Sequence, residues 1–143
     1  ISHDAAEPMG FAVSSGERKA ALVTDLGVVT EAVRRGMAGA QLVLVEANHD
    51  PDWVRSGPYP YALKARILGE KGHLSNEDGG ALALSAAGSG ASTVVLAHLS
   101  RENNTPQRAF DAVSAILDAY GARENGLTLA VAPRDQSGPV YTV

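Results

Sequence analysis

Four histidines and Asp25 lie at the ends of apolar runs or in polar segments, where catalytic and metal-binding side chains are often found. His98 directly follows the apolar run 93–97, and Asp25 directly follows the run 20–24. If both runs are strands of an α/β sheet, these side chains lie at carboxyl ends of strands, where ligands converge. Imidazole and carboxylate groups so placed suit a divalent ion such as zinc or manganese, and iron accepts the same ligands. The other histidines, in polar segments, are His3, His49 and His73.

Each of these residues also has an ordinary interpretation. A histidine or aspartate that closes a strand is often only a cap or a surface residue. His73 lies between Gly72 and the helix-capping Ser75, so it is either an exposed loop residue or a proton donor beside a metal. His49 could orient its neighbours by hydrogen bonds without touching an ion.

Composition limits the class of protein. The 143 residues, 45% of them hydrophobic, fit one domain over residues 1–143. A net charge of −4 leaves no basic stripe for binding nucleic acid through phosphates alone. The absence of cysteine excludes thiolate metal sites and cysteine nucleophiles, and it fits a cytoplasmic setting. No apolar run approaches the roughly 20 residues of a membrane helix.

The periodicity of apolar residues predicts the elements that must position these side chains. The predicted strands 41–47 and 92–97 each contain a continuous apolar run, which is typical of strands buried on both faces. Residues 48–60 contain three prolines and Gly57, which predict a long irregular loop. The other predicted elements are a hairpin of 11–14 and 19–24, helices 29–37, 61–68, 75–87 and 105–120, and a strand 127–132. This order predicts an α/β fold, a mixed sheet with covering helices.

Five polar segments follow one another in a specific order and spacing. They are Ser2-His3-Asp4-Ala5 with Glu7-Pro8 and Gly10-Phe11, Thr24-Asp25-Leu26-Gly27, Glu46-Ala47-Asn48-His49-Asp50, Gly72-His73-Leu74-Ser75-Asn76, and Ala97-His98-Leu99-Ser100 with Asn103-Asn104. In this order they resemble the YycJ (WalJ) branch of the metallo-β-lactamase-fold hydrolases over residues 1 to about 120. The segments around His73 and His98 are more distantly similar to tRNase Z, a phosphodiesterase of the same superfamily.

The resemblance implies a role for each matching position. His3, Asp25 and His98 would be metal ligands, with the Asp25 carboxylate bridging two ions and taking part in catalysis. His73 would be the catalytic residue that assists proton transfer at the leaving group. The remaining matches would support the site or contact the substrate: Glu46, Asn48, His49, Ser100, Asn103 and Asn104.

The resemblance also implies an incomplete site. The family's His-x-His-x-Asp-His signature precedes the segment that matches His3, and nothing like it occurs in this sequence. The chain would therefore be the C-terminal half of a metallo-β-lactamase αβ/βα sandwich. Its partner would be the missing N-terminal half or another chain, because a sheet face would otherwise lie exposed. Alone, it would be inactive or nearly so.

The activity implied is that of a metal-dependent phosphodiesterase, a nuclease acting on DNA. Two zinc or manganese ions would hold a metal-bound hydroxide that attacks the phosphodiester. The hydrolase interpretation predicts that His3, Asp25, His73 and His98 converge in one cleft. A non-enzymatic half-fold module for binding or assembly predicts that they are scattered or tied up in ordinary hydrogen bonds. Hydrolysis of another ester or amide, such as a thioester or a lactam, stays open on sequence grounds.

Overall fold

The computed structural model describes residues 2–143, which contain five strands and five helices. The strands are β1 Phe11–Ser15, β2 Arg18–Val23, β3 Leu42–Glu46, β4 Thr93–Ala97 and β5 Thr128–Val131. The helices are α1 Glu31–Met37, α2 Pro51–Ser56, α3 Tyr61–Leu68, α4 Asn76–Gly88 and α5 Pro106–Ala119. Within the described range, no helix is both long enough and apolar enough to cross a membrane.

The strands form one sheet in which they stand in chain order, from β1 to β5. β1 and β2 pair as an antiparallel hairpin, and β2 to β5 pair in parallel. Each parallel connection passes through helix: α1 between β2 and β3, α2 to α4 between β3 and β4, and α5 between β4 and β5. The predicted α/β fold with a mixed sheet is therefore confirmed. All four parallel strands direct their carboxyl ends to one edge.

The predicted irregular loop over residues 48–60 is wrong for its first half, which forms α2. The Asp50 side chain caps this helix by accepting hydrogen bonds from the Asp52 and Trp53 backbone N–H groups. Pro51 stands in the first turn, where a missing N–H breaks no helical hydrogen bond. Asp50 followed by Pro51 is therefore a helix start, although Pro58 and Pro60 favoured a loop.

The core lies between one face of the sheet and helices α1, α4 and α5. Val43 and Val45 of β3 and Val94 and Leu96 of β4 are fully buried there. Gly80 allows α4 to pack closely against α5, because a Cβ at this position would collide with the side chain of Ile116 in α5. The helices thereby hold the sheet rigidly behind its carboxyl edge.

The opposite face of the sheet is covered unevenly. Phe11 pairs with Leu22, and Leu22 pairs with Leu44, so these side chains share that face. Phe11 is 56% exposed and Leu22 37%, while Leu44 is half-buried. The prediction that both central strands are buried on both faces is right for 94–96 in β4 and wrong for alternate residues of β3. Apolar surface is left open on the hairpin side.

Candidate metal centre

His3, Asp25, His73 and His98 line a single cleft at the carboxyl edge of the sheet. Its volume is about 390 Å³. These residues come from positions separated by up to 95 residues of chain, so the fold, and not local sequence, brings them together. The convergence predicted by the hydrolase interpretation is found, so the four side chains are not scattered, although His73 and His98 each make a hydrogen bond to Glu46.

Asp25 and His98 each follow a strand in an unusual backbone conformation. Both have φ of +58°, and in residues 2–143 they are the two non-glycine residues with positive φ. This left-handed conformation costs of order 1–3 kcal/mol for a side chain with a Cβ, and it concentrates at functional sites. It turns the chain sharply after β2 and β4, so that both side chains enter the cleft.

The Asp25 carboxylate lies between two imidazoles. Its Oδ1 is 3.9 Å from Nε2 of His3 and 3.6 Å from Nε2 of His98. Both distances are longer than a direct hydrogen bond. Two ligand atoms that each lie about 2.1 Å from one tetrahedral ion are about 3.4 Å apart. The distance to His98 is close to this separation, and the distance to His3 is about half an ångström longer. The donor set of two imidazole nitrogens and a carboxylate therefore fits divalent ions on either side of Asp25.

Glu46, the last residue of β3, is fully buried behind the cleft. Its Oε1 accepts from Nδ1 of His73 at 2.8 Å and from Nδ1 of His98 at 2.6 Å. Its Oε2 accepts the backbone N–H groups of Leu26 and Leu74. Burial alone would raise the pKa of Glu46, but the hydrogen bonds from His73, His98 and Leu26 outweigh it and lower the pKa to about 2. Glu46 is therefore an anion at neutral pH.

Asp25, Glu46, His73 and His98 also offer ligand atoms that all lie within 4.8 Å of one another. Glu46 is nevertheless a poor candidate ligand, because both of its oxygens already accept two hydrogen bonds. Its function is to fix the two imidazoles. With Nδ1 of His73 and His98 donating to Glu46, Nε2 of each ring is left to face the cleft.

The hydrogen bond to Glu46 also raises the pKa of His98 above its ordinary value, with a further contribution from the charge of Asp25. An ion bound at Nε2 would therefore displace a proton that the two carboxylates help to hold. Metal affinity at such a site increases with pH for this reason.

His3 is held by backbone contacts on both sides of it. Ser2 accepts the Gly27 N–H at 2.8 Å, and the Asp4 N–H donates to Lys71 at 3.1 Å. The Ala5 N–H donates to Nδ1 of His3 at 3.0 Å. The segment that carries His3 is thus attached both to the turn after Asp25 and to the turn before His73.

His73 follows α3 after a tight turn at Gly72, where any Cβ would collide with the carbonyl oxygens of Arg66 and Ile67. The His73 N–H donates to Ile67 at 3.2 Å, which fixes the direction of the side chain. Its ring centroid lies 5.0 Å from that of His3 and 5.2 Å from that of His98. His73 therefore lies between the two rings that flank Asp25.

Two other residues predicted near the site lie just behind it. Asn48 donates from Nδ2 to the His98 carbonyl oxygen at 2.7 Å, which stabilises the left-handed turn there. His49 is buried, and its Nδ1 has no hydrogen-bond partner among the described residues. Burial is the main reason that the pKa of His49 is lowered, so its ring is neutral near pH 7.

Ser100, Asn103 and Asn104 do not line the cleft. The Ser100 hydroxyl accepts the Asn103 N–H at 3.2 Å. Asn104 exchanges two side-chain hydrogen bonds with Asn76 of α4, at 2.8 and 3.1 Å, and donates to the Ala47 carbonyl at 2.9 Å. All three therefore brace the loops behind His98 through these hydrogen bonds.

The cleft also has a wall that sequence reasoning missed. Leu63, Arg66 and Ile67 of α3 line it, together with Asp4. Their spacing of three and four residues would have identified one helix face, but α3 has no buried residue that shows which face is turned inward.

A family model described as "Beta-lactamase superfamily domain" matches residues 1–99 of the chain. The chain is 40% identical over 121 residues to the exodeoxyribonuclease YycJ of Bacillus anthracis, covering 85% of this chain and 46% of that protein. It is 39% identical over 109 residues to the exodeoxyribonuclease WalJ of Streptococcus pneumoniae serotype 2 (strain D39 / NCTC 7466), covering 76% of this chain and 40% of that protein. The chain thus spans less than half the length of these curated relatives.

Among solved structures, the chain is similar to the metallo-β-lactamase fold protein YhfI of Bacillus subtilis. The TM-score is 0.56 at 14% sequence identity, covering 86% of this chain and 40% of that chain. At this identity the likeness concerns the fold alone, and it agrees with the sheet and helices described above.

Proposed function

The chain belongs to the beta-lactamase superfamily, as a metallo-β-lactamase-fold hydrolase, and from that premise we propose that it contributes part of a dinuclear metal site to a DNA-cleaving phosphodiesterase. The proposal depends on one observation above all. The carboxylate of Asp25 lies between Nε2 of His3 and Nε2 of His98, at distances that fit shared divalent ions. Asp25 would bridge two ions, and each histidine would bind one.

The chemistry of the site follows from its donors. Divalent ions held by His3, Asp25 and His98 would lower the pKa of water and neutralise charge on phosphate oxygens. Zinc and manganese both accept these ligands. The chain's own residues then orient the substrate and move protons.

His73 is the proposed proton donor to the leaving group. Its Nδ1 donates to the Glu46 anion, so Nε2 is the atom that can hold and release a proton in the cleft. The hydrogen bond to Glu46 fixes the ring plane and so keeps Nε2 in place. The same carboxylate orients His98, so Glu46 couples metal binding to proton transfer.

The proposed substrate is DNA, because the relatives that share most of this chain are named exodeoxyribonucleases. A phosphodiester also suits an acidic cleft that dications make locally positive. DNA as substrate agrees with the cytoplasmic location predicted from the absence of cysteine.

The chain is further proposed to act as one domain and to work with a second half of the fold. The open apolar surface around Phe11, Val13 and Leu22 supports this, since such surface usually packs against a partner. The missing ligands of the two ions would come from that half, and the chain alone would then be inactive or nearly so.

The proposal is tested by comparing the chain alone with the complete enzyme, meaning the chain together with the proposed second half. Bound zinc and manganese are measured by mass spectrometry, and cleavage is measured on a labelled DNA oligonucleotide. We expect the complete enzyme to bind two ions and cleave DNA, and Asp25→Ala to lose both properties. Asp111→Ala, an exposed aspartate of α5, is the matched control.

A complete enzyme that binds no metal, or an Asp25→Ala variant with full activity, would contradict the dinuclear proposal. Full activity of the chain alone would contradict the need for a second half. Cleavage of a thioester or lactam in place of DNA would leave the metal site standing and change the substrate.

A further inference from the structure

One face of α3 lines the cleft together with His73 and His98. Leu63, Arg66 and Ile67 lie on that face, at helical spacings of three and four residues. α3 has no buried residue in this structure, so core packing does not account for its position. Its inward face presents one cation between two apolar side chains, which is the arrangement that a phosphate flanked by sugar and base requires.

The Arg66 guanidinium is held by only one of its nitrogen atoms. Nε donates to Oδ2 of Asp4 at 2.5 Å, and no other hydrogen bond of this side chain is found among residues 2–143. The Nη1 and Nη2 donors remain available, and the side chain is 66% exposed. A guanidinium oriented through Nε and open at both Nη atoms is prepared to bind an anionic oxygen pair.

The charge around α3 is opposite to that of the whole chain. Residues 53–73 contain four basic residues and one acidic residue, a net charge of +3, whereas the chain carries −4. Among the described residues that line the cleft, Arg66 is the one whose positive charge does not depend on pH near neutrality. The cleft therefore has a fixed cation on its α3 wall, paired on one side with Asp4.

We propose that the Leu63–Arg66–Ile67 face of α3 is a DNA-binding subsite that holds the nucleotide next to the scissile phosphate. Arg66 binds the phosphate of that nucleotide through Nη1 and Nη2, and Leu63 and Ile67 contact its sugar and base. The cleft volume of about 390 Å³ leaves room for such a group. This inference deepens the proposed nuclease function and rests on it.

The test is Arg66→Gln in the complete enzyme. Binding of a single-stranded phosphorothioate oligonucleotide is measured by fluorescence anisotropy at several salt concentrations, and cleavage of the normal oligonucleotide gives kcat and KM. We expect Kd and KM to increase about tenfold, because a charged hydrogen bond is lost. The slope of log affinity against log salt should become shallower by about 0.7, as expected for one phosphate contact on a single strand. Metal content and kcat should not change.

Three further variants separate this role from a structural one. Asp4→Asn removes the ion pair and keeps the cation, so it should preserve the salt slope that Arg66→Gln loses. Arg66→Lys should restore the slope and only part of the affinity, because lysine cannot bind two oxygens in a fixed plane. Arg123→Gln, after the end of α5, removes the same charge and an ion pair with Asp118 of that helix, and it should bind DNA normally.

An unchanged Kd and salt slope in Arg66→Gln would overturn the subsite while leaving the nuclease proposal intact. Loss of bound metal in that variant would also overturn it, since Arg66 would then act only by holding Asp4 beside His3. If the wild type binds DNA in an Arg66-dependent way without cleaving it, the subsite stands and the nuclease proposal fails.

Discussion

Glu46 ends β3 and His98 directly follows the neighbouring β4, and Oε1 of Glu46 lies 2.6 Å from Nδ1 of His98. The same oxygen accepts from Nδ1 of His73, so one buried carboxylate orients a proposed metal ligand and a proposed proton donor together. Neither ring can turn without breaking a hydrogen bond to a fully buried anion. Parallel pairing of β3 with β4, which sets Glu46 opposite Ala97, is what makes this sharing possible.

Replacement of Glu46 by glutamine should weaken metal binding by about 10- to 100-fold and slow DNA cleavage. The glutamine amide has no negative charge, and its single acceptor oxygen cannot replace the two carboxylate oxygens that together accept from His73, His98, Leu26 and Leu74. Metal affinity is measured by competition with a chelator, and cleavage by turnover at saturating metal. Glu124→Gln, at an exposed site after α5, should change neither. Normal metal affinity in Glu46→Gln would show that the hydrogen bond to His98 is dispensable.

Replacement of His73 by alanine should slow turnover by about 100-fold or more while leaving metal content unchanged. The reason is that His73 holds the proton for the leaving group, whereas His3, Asp25 and His98 bind the ions. A DNA analogue with a sulfur leaving atom, which needs no proton, should be cleaved by the variant at close to the wild-type rate. Loss of metal in His73→Ala would instead make this residue a ligand.

Much of the sheet could be predicted from sequence because its strands are short apolar runs followed by polar residues. The convergence of Asp25 and His98 follows from the same pattern, since parallel strands end at one edge. The α2 helix could not be recognised with equal ease, because the prolines at 58 and 60 outweighed the Asp50-Pro51 start. The helix-start signal and the loop signal therefore contradict each other within residues 50–60, and sequence alone does not show which one prevails.

The sharing of Glu46 by two histidines could not be derived from spacing. His73 and His98 are 25 residues apart, and only the docking of the α3–α4 turn beside β4 brings their Nδ1 atoms to one oxygen. The cleft wall of α3 was missed for a related reason. A helix without buried residues carries no apolar periodicity that shows which side is turned to its neighbours.

Gly79→Ala should destabilise the protein by about 1–3 kcal/mol, although alanine is the better helix former. A Cβ at position 79 would collide with the backbone oxygen of Glu46, so α4 would have to move away from the end of β3. Gly88→Ala in the same helix meets no atom and should stabilise the protein by up to about 1 kcal/mol. Urea unfolding of both variants measures the difference. Equal effects would mean that α4 does not pack tightly against Glu46.

The buried ring of His49 should make stability depend on pH just below neutrality. Its pKa is lowered in the folded protein, mainly by burial, while the unfolded chain keeps the ordinary value near 6.5. The unfolded state therefore binds the proton first, and the free energy of unfolding falls as pH drops below about 6.5. Between pH 7.5 and 5.5 the wild type should lose about 1 kcal/mol more than His49→Gln, whose side chain does not titrate.

This difference is measured by urea unfolding at each pH in the presence of a chelator, so that proton competition with bound ions does not contribute. Taking the wild type and the variant as a pair cancels the titration of His3, His73 and His98, which both proteins share. Parallel pH profiles for the two proteins would contradict the prediction, because they would mean that His49 takes up its proton equally in the folded and unfolded states. A steeper loss in the wild type would identify His49 as a neutral, buried support behind the cleft.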